Sequence, residues 1–322
     1  MTIVNIYYYR WKNVEVALKT IKLEDDDIGS NEFEHESSML SSIRHPNIVN
    51  FYGVCLSDQT KFMVTEFMSG GSLESLIYEC KTKRKHINLS QKISILIGIA
   101  NGMSYLHGGK DSCIIHRDLK PGNILLSNDL IPKVCDFGLS RLSNDNSNST
   151  KTCQIGTLLY MSSEILLGKY YNETSDIYSF SIIMWQLLFD ESNLFHHNYA
   201  TNPKFATIMS KKEVETFASF EHQASLLLIP KLVSEGLRLP IPSLPINSQS
   251  QIMRLWVREY FIDDVVTSHQ KSNKEDPFDN YLKALNALFS MLNLCWSQDF
   301  NKRPSFSNIA QELSVIGNTI NR

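Results

Sequence analysis

The stretch Ile114–Arg141, IIHRDLKPGNILLSNDLIPKVCDFGLSR, constrains this chain more than any other part of it. It sets Asp118, Lys120 and Asn123 within one short segment and reaches Asp136 after a single short hairpin. One aspartate beside a hairpin is most simply a turn residue. Two carboxylates, an amide and an ammonium set together in one such stretch are too many for that reading to cover all four.

The flanking segments say what kind of fold surrounds this stretch. Val14–Ile21 (VEVALKTI) alternates as a half-buried strand does, and about Ser30–Ser42 reads as helix. Lys61–Met68 (KFMVTEFM) reads as a strand, after which Gly70-Gly71-Ser72 turns the chain into a helix starting near Leu73. Ile93–Ile99 and Phe180–Phe189 are apolar but fall short of the ~20 residues a bilayer requires, so both read as buried core helices. Met1–Arg10 is no signal peptide. A formal net charge of −3 gives no electrostatic reason to expect nucleic acid, and Glu24–Asp27 and Lys81–Lys85 read as solvated faces. The 6 cysteines are scattered without metal spacing and read as reduced thiols, which points to a cytoplasmic setting. His196-His197 lacks a further ligand at helical spacing and reads as solvated loop.

His116-Arg117-Asp118, Lys120, Asn123 and Asp136-Phe137-Gly138 together resemble the signature set of protein kinases. The resemblance implies ATP and Mg²⁺ as cofactors and protein substrates as partners. By it Asp118 accepts the substrate hydroxyl proton, Lys120 steadies the transferring phosphate, and Asn123 and Asp136 hold the metal. Lys19 of Val-Ala-Leu-Lys pairs the ATP phosphates and forms an ion pair with Glu36. Thr65 is the gatekeeper beside adenine, the backbone of Glu66 and Met68 bonds the adenine edge, and Ile6, Ala17 and Leu125 sandwich the ring. Plain core packing explains the aliphatic members equally well. Leu40, Phe51, His116 and Phe137 match the stack that the family closes when active.

Further on, Leu142–Cys153 is polar and corresponds to the activation loop, where phosphate on Ser147, Ser149, Thr150 or Thr152 could pair with Arg117. Thr157 bridges Asp118 and Lys120 by the same resemblance. Ser162-Ser163-Glu164 replaces Ala-Pro-Glu, with Glu164 expected to pair with Arg303, while Asp176 anchors the catalytic loop and Ser181 stands where glycine is customary. The intervals near 190–226 and 246–281 are insertions, open to a docking partner or to no role at all. The chief departure is at the front, where Val4 and Met1 fall where the last and middle glycines of the phosphate-covering loop belong. A truncated chain and a natural short form both explain this.

The expected fold is α+β and two-lobed: a small antiparallel β lobe with one helix over residues 1–67, and a larger, mainly helical lobe over 68–322. Trp11, Lys133-Val134-Cys135-Asp136 and Cys295-Trp296 resemble the tyrosine-kinase-like group, and Lys120-Pro121 favours serine/threonine acceptors. The alternatives are dual-specificity or tyrosine phosphorylation, a catalytically impaired kinase-fold scaffold, and the intracellular part of a longer receptor-like protein.

Overall fold

The computed structural model describes residues 4–22, 27–57, 60–109, 113–137, 140–142, 155–192, 233–239, 241 and 277–320. Strands β1 (Val4–Trp11) and β2 (Val14–Lys22) form a hairpin whose turn residues, Lys12 and Asn13, both take positive φ. β3 (Phe51–Ser57) and β4 (Thr60–Glu66) complete an antiparallel sheet in the order β1-β2-β4-β3. Helix α1 (Asp27–Ser42) begins slightly earlier than the sequence pattern suggests. Its buried Phe33, Glu36 and Leu40 recur at three- and four-residue steps, so one stripe faces inward with a carboxylate in it.

β4 ends at Glu66, two residues before the apolar pattern stops. The Gly70 amide donates to Leu126 O at 2.9 Å and the Leu126 amide to Gly71 O at 2.8 Å. These bonds tie the chain leaving the sheet to β6 (Ile124–Leu126) of the following layer. The approach is so close that a Cβ on Gly70 would lie 2.3 Å from Ser127 O. Gly70→Ala should therefore destabilise the protein by about 1–3 kcal/mol, measured as a lowered melting temperature.

The remainder is largely helical. α2 (Leu73–Lys81) is capped by Ser72, whose hydroxyl accepts from the Ser75 amide at 3.1 Å, and α3 (Leu89–His107) starts with an Asn88/Gln91 capping box. α4 (Ser163–Leu166) is short, and α5 (Thr174–Phe189) is apolar nearly all round and buried along its length. α6 (Pro277–Cys295) contacts α5, and α7 (Phe306–Ile320) packs along both α3 and α6. Ile95, Leu96 and Ile99 of α3, Phe180, Ile183 and Leu187 of α5, and Ile309 and Leu313 of α7 belong to one continuous core. A small antiparallel pair, β5 (Ile114–Ile115) with β8 (Arg141–Leu142), and a hairpin of β6 with β7 (Pro132–Val134) carry the catalytic stretch. This is the expected α+β, two-lobed arrangement. The apolar runs of α3 and α5 are core helices, and none of the described helices is long and apolar enough to cross a membrane.

Candidate active site

Strand register decides which side chains share a face. Ile6 pairs with Lys19, and Ala17 with Thr65, so all four lie on one side of the sheet. Leu125 reaches the same region through a bridge to Ser72, and Met68 is buried at the exit from β4. Ile6 is 70 % exposed, whereas Ala17, Thr65 and Leu125 are half-buried. Glu66 does more than the sequence suggested. Its carboxylate accepts from the Asn50 amide at 2.6 Å and from Lys133 Nζ at 2.7 Å, clamping β4 to β7.

Lys19 Nζ donates to both Glu36 oxygens at 2.8 Å and to Asp136 Oδ1 at 3.0 Å. Burial works against the Lys19 charge, but the Asp136 and Glu36 carboxylates outweigh it and raise its pKa above the ordinary lysine range. The strand, the helix and the end of the β6–β7 hairpin thus meet at one ammonium.

The Asp118 side chain is 9 % exposed. Its Oδ2 accepts from Lys120 Nζ at 2.8 Å and Asn123 Nδ2 at 2.9 Å, while its buried Oδ1 has no partner among the described residues. Asn123 Nδ2 also donates to Asp118 O at 2.8 Å. Both acceptors are oxygens, so the amide nitrogen must face Asp118 and the amide oxygen must face away. That oxygen and the 44 % exposed Asp136 carboxylate form the oxygen donor set a hard dication takes, so the residues fit Mg²⁺.

Two residues here carry positive φ without being glycine, Arg117 at 68° and Asp136 at 65°. Such backbone costs roughly 1–3 kcal/mol each and persists only where the surroundings impose it. At Arg117 buried Asp176 supplies that constraint: it accepts from the His116 amide at 2.8 Å, the Arg117 amide at 2.9 Å and His107 Nε2 at 2.9 Å. Burial pushes the Asp176 carboxyl upward, yet the hydrogen bond and charge of His107, with His116, hold it below the usual carboxylate range. His116 Nε2 donates to Cys135 O at 3.0 Å, which leaves Nδ1 to accept from the Asp118 amide at 3.3 Å. Its ring packs on Phe137 at 5.3 Å, with Leu40 and Phe51 also buried.

Below the site, Arg303 Nη1 and Nη2 donate to the two Glu164 oxygens at 2.5 and 3.1 Å. Ser163, in the place of proline, donates to Glu164 Oε2 at 3.3 Å, and Ser181, in the place of glycine, donates to Tyr178 O at 2.5 Å. The Thr157 side chain, the segment 143–154, His196-His197 and most of both insertions lie outside the described residues.

The sequence profile described as protein tyrosine and serine/threonine kinase matches residues 3–227. The chain belongs to this family of protein kinases. Among curated relatives, a probable serine/threonine-protein kinase of Dictyostelium discoideum is 39 % identical over 184 residues, 56 % of this chain and 19 % of the relative. A probable LRR receptor-like serine/threonine-protein kinase of Arabidopsis thaliana is 33 % identical over 212 residues, 66 % of this chain and 20 % of the relative. A putative serine/threonine-protein kinase/receptor of Acanthamoeba polyphaga mimivirus is 40 % identical over 180 residues, 56 % of this chain and 10 % of the relative. The kinase chain thus spans a fifth or less of the length of these relatives. Sequence reasoning missed His107, Lys133 and the side-chain role of Glu66 in this kinase site. A histidine ending the helix ahead of the catalytic loop was the available signal for His107.

Proposed function

We propose that the chain transfers the γ-phosphoryl group of ATP, with Mg²⁺, to serine or threonine hydroxyls of protein substrates. One observation carries the reading: Lys19, Glu36 and Asp136 form an ion-paired cluster in the same site as Asp118, Lys120 and Asn123. Phosphoryl transfer depends on positioning and charge neutralisation, and this site supplies both. Mg²⁺ bound by Asn123 and Asp136 would supply neutralisation of phosphate charge. Glu36 and Asp136 hold the Lys19 ammonium in place for phosphate oxygens. Asp118 offers its Oδ1, which has no partner among the described residues, to the acceptor hydroxyl as proton acceptor, while Lys120 steadies the moving group beside Oδ2. Thr65, Glu66, Met68, Ala17, Leu125 and Ile6 border the space assigned to adenine. The relatives' names and Lys120-Pro121 support serine/threonine acceptors, and Trp11 with Cys295-Trp296 supports the tyrosine-kinase-like group.

The test is transfer of labelled γ-phosphate from Mg-ATP to a generic protein substrate, followed by phosphoamino-acid analysis. Label on serine or threonine is the expected result, and label on tyrosine would overturn the acceptor. Lys19→Met should lower transfer by about 10²–10³-fold while circular dichroism stays unchanged, because it removes a positioned charge rather than core volume. Full activity in that variant would overturn the phosphate role of Lys19.

A further inference from the structure

Residues 79–85, Glu-Cys-Lys-Thr-Lys-Arg-Lys, set four cations against one carboxylate in a chain whose formal net charge is −3. As sequence this run reads as a solvated face, but the fold gives it a fixed shape at the end of α2. The Thr82 amide donates to Tyr78 O at 3.0 Å, the Lys83 amide to Cys80 O at 2.9 Å and the Arg84 amide to Glu79 O at 2.9 Å. Lys83 takes a φ of 56° to reverse the chain. Thr82 Oγ1 donates to Tyr78 O at 2.8 Å and accepts from Arg84 Nε at 3.0 Å, and the Arg84 guanidinium lies over the Tyr78 ring at 5.1 Å. Buried Ile87 anchors the exit of the turn in the core. The turn is therefore held from both ends.

Residues 81–86 are exposed without a break, so the turn stands out from the surface. The acidic residues at the end of α5 are committed to other cations, Glu191 to Lys81 and Asp190 to buried Lys92. The Lys83 and Lys85 ammoniums make no hydrogen bond or ion pair with any described residue. Two such ammoniums and a guanidinium thus share one projecting tip.

A partner for this tip has to be anionic and has to meet it as a surface. Single-stranded nucleic acid stacks on bare aromatic rings, whereas Arg84 already lies over Tyr78. A duplex is held by a longer run of phosphate contacts than one turn supplies. A bilayer with acidic lipids presents a plane of negative charge to clustered Lys and Arg, and Tyr78, 52 % exposed beside them, suits the headgroup layer. We infer that the turn at residues 81–86 is a docking surface for membranes bearing anionic phospholipid headgroups. This goes beyond the phosphoryl-transfer reading and does not depend on it. α2 runs about 13 Å at 1.5 Å per residue. Its other end, at Ser72, is the one bridged to Leu125, so docking at the turn leaves the catalytic cleft uncovered.

Sedimentation of the whole chain with vesicles at low salt tests the assignment. Wild type should bind mixed phosphatidylcholine–phosphatidylserine vesicles and not phosphatidylcholine alone, and binding should weaken as salt rises. Each cation near such a surface contributes roughly fivefold in affinity, so Lys83→Glu/Arg84→Glu/Lys85→Glu should lose at least about 10²-fold. Lys83→Asn/Lys85→Gln keeps the Arg84–Tyr78 stack and a residue tolerant of positive φ, and should lose roughly 10–30-fold. Wild type that stays in the supernatant with both vesicles, binding to phosphatidylcholine alone, or binding that survives in both variants would overturn the inference. Tighter binding of an oligonucleotide, lost in the same variants, would also overturn it by making the turn a nucleic-acid contact. A lowered melting temperature with unchanged vesicle binding would overturn it too, assigning the cations to the end of α2 alone.

Discussion

Asp118→Asn is expected to lower phosphoryl transfer by about 10²–10⁴-fold, the contribution of a positioned proton acceptor, while the protein stays folded. The substitution keeps the shape of the side chain. An asparagine oxygen directed at Lys120 and Asn123 preserves both bonds now made by Oδ2. What disappears is the charge and the proton-accepting oxygen, the buried Oδ1 that has no partner among the described residues. The loss should appear in the rate of the transfer step, measured by rapid-quench single turnover, with apparent affinity for Mg-ATP largely retained, because the residues assigned to nucleotide are other ones. A rate close to wild type would remove Asp118 from the chemistry. A matching loss of melting temperature would mean that the residue's contribution is structural.

The contrast between Asp118 and its supports shows how far sequence could be read. Asp118, Lys120, Asn123 and Asp136 were nameable because one short segment and one hairpin hold them in a pattern that resembles the protein-kinase signature. Lys19 rested on strand alternation ending in Val-Ala-Leu-Lys, and Glu36 on its distance from the Arg44-His-Pro-Asn turn, both local patterns that survive folding. The clamps were not legible. Lys133 meets Glu66 across 67 residues, His107 meets Asp176 across 69, and Lys92 meets Asp190 across 98. Lys92 is the sharpest case. Its side chain is buried on the inner face of α3 and donates to Asp190 Oδ2 at 2.9 Å and Leu188 O at 3.2 Å. By residue type alone that lysine belongs at the surface. The end of α5, brought there by tertiary packing, supplies a carboxylate and a carbonyl that make its burial tolerable.

Arg303→Ala is expected to have the largest effect on stability, about 3–5 kcal/mol, because it strands a buried carboxylate. Arg303 is fully buried and Glu164 is 6 % exposed, and the guanidinium also donates to Ser297 O and Thr174 O at 3.0 Å each. Truncation therefore leaves the Glu164 charge and two carbonyls without their donor in a site water does not readily reach. The effect carries a pH signature. Burial pushes the Glu164 carboxyl up, but the hydrogen bonds and charge of Arg303 hold it below the usual range in the folded protein. The unfolded chain thus takes up the proton first as pH falls. The contribution of the pair is complete above the ordinary glutamate pKa of about 4.3 and is lost as pH falls through the lower folded value. Thermal melts of wild type and Arg303→Ala should differ most near neutrality and converge in acid. A gap that stays constant to below about pH 3 would separate Glu164 from the loss, and equal melting temperatures at pH 7 would remove the pairing as a source of stability.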